Sequence, residues 1–436
     1  MSILTNPVII SVGILYVLCL KKINVLLALL IAALTAGVCA GVPLKTVMDT
    51  FIQGMGNNAE TSLSYVLLGT FAAAMVHTGF SAAFAQGVTR LIGQKKGCFF
   101  LVLTLVAMSS QNILPVHIAF IPMLIPPLLP LMNKLRIDRR LVACILSFGL
   151  VAPYISIPSG FGLIFQKLVI DNLQQNGIAT TYAENRHCFT FLGLSMIVGL
   201  LIAIFVSYRK PRIYEEKQVS TSQGSSGSIN KRQIIVLAVA TLTTFVIQLV
   251  TGSLPLGALT GLGILFLFKA VSRNELDRLT HEGIFMMGFV AFVMLSAAGF
   301  ANVLKATHSV ERLVNDLLPL LPENKGISAF LILTVGLVVT LGIGSSFSTI
   351  PIVSTIFVPL CLKLNYTVPE IVILMTSAAA LGDAGAPVSE TALGPTSGLN
   401  VDGQHDHIRD TCIPTFLHYN TALFLCALLA IVFGWV

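Results

Sequence analysis

The chain has 436 residues, 55% of them hydrophobic and 10% charged, with a formal net charge of +7 and a mean hydropathy of +0.88. A soluble domain carries about 25% charged residues, so this chain lacks the polar surface it would need to face water. A nucleic-acid binder, a disulfide-stapled secreted scaffold and a disordered tail protein are excluded, leaving an all-α polytopic membrane protein.

An apolar helix of about 20 residues crosses a bilayer. Runs of that character predict about ten crossings, at 7–20, 23–42, 62–87, 140–170, 189–207, 233–251, 255–270, 283–303, 369–398 and 414–436. The first run, Pro7 to Leu20, is followed by Lys21-Lys22 and has neither a basic region before it nor a small-residue cleavage site, so it reads as a helix rather than a signal peptide. Two other stretches, 97–133 and 327–362, are broken midway by small polar residues and proline and read as re-entrant hairpins. The eight cysteines are scattered without a CxxC pair and read as small apolar residues, not as a disulfide or zinc framework.

Placing Lys21-Lys22 inside also places the loops 88–96, 134–140, 208–232, 269–282 and 400–411 inside. Of the 26 basic residues, 19 then face the cytoplasm and 7 (at 45, 167, 186, 305, 312, 325 and 363) face out. This bias orients a multi-pass membrane protein with both termini outside. The segment 208–232 is polar, Gly/Ser-rich and basic at its ends, a cytoplasmic linker. The division is therefore N-terminal helices 1–61, a first repeat 62–207 (hairpin 97–133, broken helix 140–170), the linker, central helices 233–282, and a second repeat 283–436 (hairpin 327–362, broken helix 369–398).

The repeat shows in matched interruptions. Ser109-Ser110-Gln111-Asn112-Ile113-Leu114-Pro115 has its counterpart 236 residues later in Ser345-Ser346-Phe347-Ser348-Thr349-Ile350-Pro351. About 40 residues beyond each lies a second break, Ala152-Pro153-Tyr154-Ile155-Ser156-Ile157-Pro158-Ser159-Gly160 and Ala386-Pro387-Val388-Ser389-Glu390-Thr391, offset by 234. An odd number of crossings separates the copies, so the two repeats are expected to have inverted topology.

Backbone that leaves a helix within a bilayer survives only when buried in protein or lining a polar cavity. Breaks converging near the midplane present helix N-termini to anions and free carbonyls and hydroxyls to a hard cation. Asp383 and Glu390 are the acids that fall deep within an apolar stretch. An ionisable residue at that depth is costly and marks an ion pathway. Sodium and a proton competing for one carboxylate would couple their fluxes. His117, just after the first hairpin tip, is a further proton-coupling candidate. His405-Asp406-His407 has the look of a metal cluster, but its position predicts a solvated loop.

These breaks, and above all the run Gly382-Asp383-Ala384-Gly385-Ala386-Pro387-Val388-Ser389-Glu390-Thr391, resemble the ion-transporter superfamily, and more narrowly the NhaC-type sodium/proton antiporter family with its relatives described as amino-acid transporters. The resemblance spans nearly the whole chain. It implies two inverted repeats, two re-entrant hairpins, and sodium bound by Ser/Asn/Thr motifs beside the substrate. Carried over, it places cation or substrate contacts at Ser109, Ser110 and Asn112 with Ser156 and Ser159. The related site in the second half comprises Ser345, Ser346, Ser348 and Thr349 with Asp383, Ser389, Glu390 and Thr391. The sodium ligands foremost among these are Ser110, Asn112, Ser346 and Asp383. Relatives in the superfamily are often homodimers. One departure matters: the breaks of the first half carry no acid, so the two sites differ in charge.

No HExxH, GxSxG or P-loop occurs, which weighs against an intramembrane enzyme or an ATP-driven pump. The expectation is a secondary transporter working by alternating access and exchanging sodium for protons, with no cofactor beyond these coupling ions. Its partners are the lipid bilayer and small ions, with no nucleic acid. The alternative is sodium- or proton-coupled uptake of a small organic solute, such as an amino acid or carboxylate.

Overall fold

The computed structural model describes residues 5–77, 95–112, 120–158, 161–215, 231–251, 253–317 and 324–435, and every regular element among them is helical. The chain opens with α1 (Pro7–Leu20) and α2 (Val25–Cys39). Each starts at an asparagine whose side chain accepts an otherwise unpaired amide, Val8 on Asn6 and Leu26 on Asn24. An amphipathic α3 (Leu44–Met55), absent from the sequence reading, buries Val47 and Phe51 before α4 (Ala59–His77). The remainder of the expected crossing 62–87 lies outside the described residues. There follow α5 (Lys96–Asn112), α6 (Phe120–Lys134), α7 (Arg139–Ser156), α8 (Phe161–Gln175) and α9 (Tyr182–Ile202), the last extended by a π turn to Ser207.

The second half contains α10 (Lys231–Thr251), α11 (Leu254–Leu267), α12 (Arg273–Ala306), α13 (Ser309–Leu317), α14 (Lys325–Ile343), α15 (Ser346–Lys363), α16 (Val368–Ala380) and α17 (Glu390–Leu399). The final span, α18 (His407–Phe433), is wound as π-helix over His407–Cys412 and Phe416–Asn420. Among the described residues, five helices are long and apolar enough to cross a membrane.

The segment 269–282 is not a loop as expected. The Ser272 hydroxyl accepts the Glu275 amide and the Glu275 carboxylate accepts the Ser272 amide, a reciprocal cap. Helix therefore begins at Arg273, and Leu279 is buried against α4, α10 and α11.

The packing of the broken segments is paired. α5 lies on α7 and α14 on α16, while α6 lies on α17 and α8 on α15. The first helix of each stretch expected as a hairpin thus packs on the first part of the broken helix that follows it, and the second helix on the second part of the broken helix from the other half of the chain. Glycines permit the close approaches: a Cβ on Gly149 would lie 2.3 Å from the Ala107 Cβ, and one on Gly336 2.4 Å from the Ala378 Cβ.

Three further expectations are corrected at one end of the molecule. Arg139, placed in a loop by the sequence, is fully buried at the start of α7 and grips Asp402 with two bonds of 2.6 Å. The first part of the segment 208–232, expected as a linker, is folded back as a strap. Arg212 pairs with Asp410 at 2.9 Å, Glu215 and Gln404 exchange two hydrogen bonds, and the Tyr214 ring stacks under Arg139 at 4.3 Å. Finally, His405-Asp406-His407 is not a solvated loop. His405 is 2% exposed with Nε2 on the Thr411 hydroxyl, and His407 bridges Thr396 and the Pro387 carbonyl. Among the described residues, no group of three or more His, Cys, Asp and Glu is arranged to hold a metal ion. Burial pushes the His405 imidazole down to about 4, against the opposing field of Asp410. Although burial alone would raise the Asp402 carboxyl, hydrogen bonds and charge from Arg139 hold it below its ordinary value.

Candidate functional site

Two interruptions face each other in the core. The first, after Ser156, follows Pro153, which cannot donate the helical hydrogen bond. The Ile155 carbonyl is taken up by the Gln166 amide at 2.7 Å. The second runs from Leu381 to Ser389 between α16 and α17. Side chains from other helices satisfy its backbone, as they must where water is excluded. Asn420 accepts the Gly382 amide at 3.1 Å and donates to the Ala384 carbonyl at 2.9 Å. The Thr391 hydroxyl donates to the Asp383 carbonyl at 2.8 Å. Thr340 donates to the Ala378 carbonyl at 3.0 Å.

Glycine is required at the bend. Gly385 has φ +104°, and a Cβ there would stand 2.6 Å from the Phe416 Cβ and 2.8 Å from the Cys412 carbonyl oxygen. Gly385→Ala is therefore expected to lower stability by about 2–4 kcal/mol through combined backbone strain and overpacking. A thermal-unfolding midpoint in detergent equal to that of the wild type would refute this account of the bend.

Asp383 is the centre of the site and is 5% exposed. Its Oδ2 accepts the Tyr154 hydroxyl and the Ser346 hydroxyl, each at 2.8 Å, and these two oxygens are themselves 2.8 Å apart. Its Oδ1 accepts the Ser389 hydroxyl, with Thr391 Oγ1 further away at 3.4 Å. The donors come from three places: the end of α7, the N-terminus of α15 at the second hairpin tip, and the last residue of the second break. Among the described residues, no lysine, arginine or histidine forms an ion pair with Asp383. A carboxylate ringed by small neutral oxygens is the donor chemistry of a hard cation. On the first-half side, Tyr154, Phe165 and Phe347 pack with ring centroids 4.9 to 5.8 Å apart and wall the cluster with apolar surface.

Of the residues singled out by sequence, Ser346, Asp383, Ser389 and Thr391 are brought together. Ser109, Ser156 and Thr349 return their hydroxyls to their own helices, on Leu105, Ala152 and Ser345 carbonyls respectively. Ser345 caps α15 with extended backbone. Ser110 and Asn112 lie in the last turn of α5 and Ser348 in the first turn of α15. Ser159 and His117 lie outside the described residues. Glu390 stands apart from the cluster, with Oε2 accepting the Tyr65 hydroxyl at 2.5 Å.

Three residues escaped the sequence reading: Tyr154 and Asn420, which build the Asp383 site, and Tyr65, which holds Glu390 apart from it. Tyr154 lies inside the first break motif, where an aromatic ring reads as packing beside the serines. Asn420 is a polar side chain within an apolar crossing, a signal that was available. Tyr65 carried none.

Residues 145–435 match the Na+/H+ antiporter family, and residues 6–92 match a second Na+-H+ antiporter family description. A membrane protein of Vibrio parahaemolyticus is 46% identical over 99% of both chains. The putative amino acid transporter YuiF of Bacillus subtilis is 43% identical over 99% of both chains. The crystal structure of the Alcanivorax borkumensis YdaH transporter aligns over 90% of this chain and 89% of that one, at 14% identity and a TM-score of 0.46. A buried acid in a broken helix, on an all-helical membrane scaffold that matches this family over two thirds of its length, completes the assignment: the chain belongs to the Na+/H+ antiporter family and is a secondary transporter, not an enzyme.

Proposed function

We propose that this protein exchanges sodium for protons across the bacterial inner membrane and that Asp383 is the shared site. The observation that carries this reading is the Asp383 carboxylate itself, buried, free of any cationic partner among the described residues, and supplied with hydroxyls from three elements. Sodium would take the carboxylate oxygens together with the Ser346, Ser389 and Tyr154 oxygens. A proton would take one carboxylate oxygen and leave the hydroxyls bonded to one another. Both cannot be held at once, and that exclusion links the two fluxes. The paired packing of hairpins and broken helices supports two repeats of inverted topology, and the 19 to 7 division of basic residues supports termini on the outer side.

A second reading has its own observation. A cavity of about 380 Å³ beside α17 is lined by Lys22 and Asp406 together with Asn24 and Asn400. Both charge signs and two amides suit a small zwitterion, and the Bacillus subtilis relative is named a putative amino acid transporter. Proteoliposomes with an internal pH dye separate the two. Sodium added outside is expected to drive proton efflux with no organic solute present. Silence with sodium, followed by sodium-dependent uptake of a labelled amino acid, would replace exchange by symport.

A further inference from the structure

Glu390 begins α17 and neighbours Ser389, which donates to Asp383. Its carboxylate is held from the other side by Tyr65 of α4 at 2.5 Å, and Tyr65 is 2% exposed. Beyond Tyr65, α4 joins α10, α11 and α12 around a second apolar cluster that includes Phe71, Leu237, Leu262 and Leu279 and is separate from the main core. The Tyr65–Glu390 bond therefore links α4, one wall of this second cluster, to the half-helix that follows the break. One turn along α17 from Glu390, Leu393 forms part of the wall of the 380 Å³ cavity, with Ser397 and Asn400 further on. Helical spacing puts positions 390, 393, 397 and 400 on one face, so Glu390 heads the stripe that lines the cavity, about 5 Å beyond its last wall residue. Along the chain Glu390 therefore stands between Leu393 of the cavity wall and Ser389, which bonds to Asp383.

We infer that Glu390 is the gate between this cavity and the Asp383 centre, and that Tyr65 is the positioning residue that holds the gate shut. An ion moving from the cavity to Asp383 meets the Glu390 carboxylate first and must displace the Tyr65 hydroxyl from it. This rests on the reading of Asp383 as the ion site. Tyr65→Phe keeps the ring and its packing but removes the bond. In proteoliposomes loaded with radioactive sodium, Tyr65→Phe is expected to leak sodium about tenfold faster than wild type when no pH gradient is applied, the worth of one hydrogen bond to a charged group. The sodium concentration for half-maximal exchange is expected to stay within about twofold of wild type, because the Asp383 ligands are untouched. In a Glu390→Leu background, which offers the Tyr65 hydroxyl no oxygen, the same substitution is expected to change the leak less than about twofold, as for two residues acting through one contact. A wild-type leak in Tyr65→Phe, or an equal increase in both backgrounds, overturns the gate while leaving the Asp383 site standing. Normal exchange by Asp383→Asn in parallel vesicles overturns the site and the gate together. Unchanged size-exclusion profile and thermal midpoint confirm that each variant is folded.

Discussion

Replacing Asp383 by asparagine is expected to abolish sodium-driven proton movement while leaving the fold intact. Asparagine is nearly the same size, and its carbonyl oxygen still accepts hydroxyls such as those of Tyr154 and Ser346, now 2.8 Å from the carboxylate. What it removes is the charge. A unit charge about 4 Å from a cation in surroundings of intermediate polarity is worth about 4 kcal/mol, or roughly a thousandfold in cation affinity. Asparagine also has no proton to release, so exchange is lost at every sodium concentration rather than restored by excess sodium. Transport measured against sodium concentration in reconstituted vesicles checks this. Recovery at high sodium would show that Asp383 contributes affinity but is not the exchanging group. Ser346→Ala and Ser389→Ala each retain the acid and are expected to weaken sodium affinity without removing exchange.

The second large effect is structural. Arg139 is fully buried and gives two bonds of 2.6 Å to Asp402, one of 3.0 Å to the Leu399 carbonyl and one of 3.2 Å to Asn133. Arg139→Met leaves Asp402 as an uncompensated acid whose side chain is 3% exposed. A loss of about 3–5 kcal/mol is expected, seen as a large fall in the thermal midpoint. The double variant Arg139→Met/Asp402→Leu removes both charges and is expected to recover more than half of that loss, since an apolar pair often replaces a buried ion pair at little cost. The single and double variants falling equally would show that the pair is not the source of the stability. The bond also has a functional side. Arg139 starts the helix that carries Tyr154, and Asp402 follows the helix that begins beside Ser389. Fifteen residues of helix, about 22 Å, separate Arg139 from Tyr154, so the pair anchors both broken segments at one end of the molecule while the Asp383 centre forms at their interruptions.

Much of the site was legible because its ingredients break local rules. Asp383 stands out as an acid in an apolar run, and the proline and glycines around it announce an interruption that must be buried. The matched spacing of Ser109-Ser110 and Ser345-Ser346 pointed to two corresponding interruptions, and Ser345-Ser346 do lie at the start of α15. Spacing did not tell which hydroxyls turn toward the acid. Ser346 at the start of a helix is free to reach Asp383, whereas Thr349, one turn on, bonds back to the Ser345 carbonyl. Tyr154 was hidden for the opposite reason: an aromatic residue in a membrane helix reads as packing, and only its alignment with Asp383 across the core reveals the hydroxyl's task. The errors at the ends of the helices share a cause. Lys, Arg, His and Asp near a predicted loop read as solvated, but Arg139, Asp402 and His405 neutralise or hydrogen-bond one another's surroundings through long-range contacts that no local pattern encodes. The helical start at Arg273 was readable from Ser272 and Glu275, and was masked by the charges that follow them.

Sodium binding to the purified protein, measured by titration calorimetry in buffers of different ionisation enthalpy, tests the central claim most directly. Competition at Asp383 predicts that each sodium bound releases a proton to the buffer, that affinity falls as pH is lowered, and that both heat and proton release vanish in Asp383→Asn. Sodium binding that releases no proton and is unaffected by pH would contradict a shared site, and undiminished binding by Asp383→Asn would move that site elsewhere.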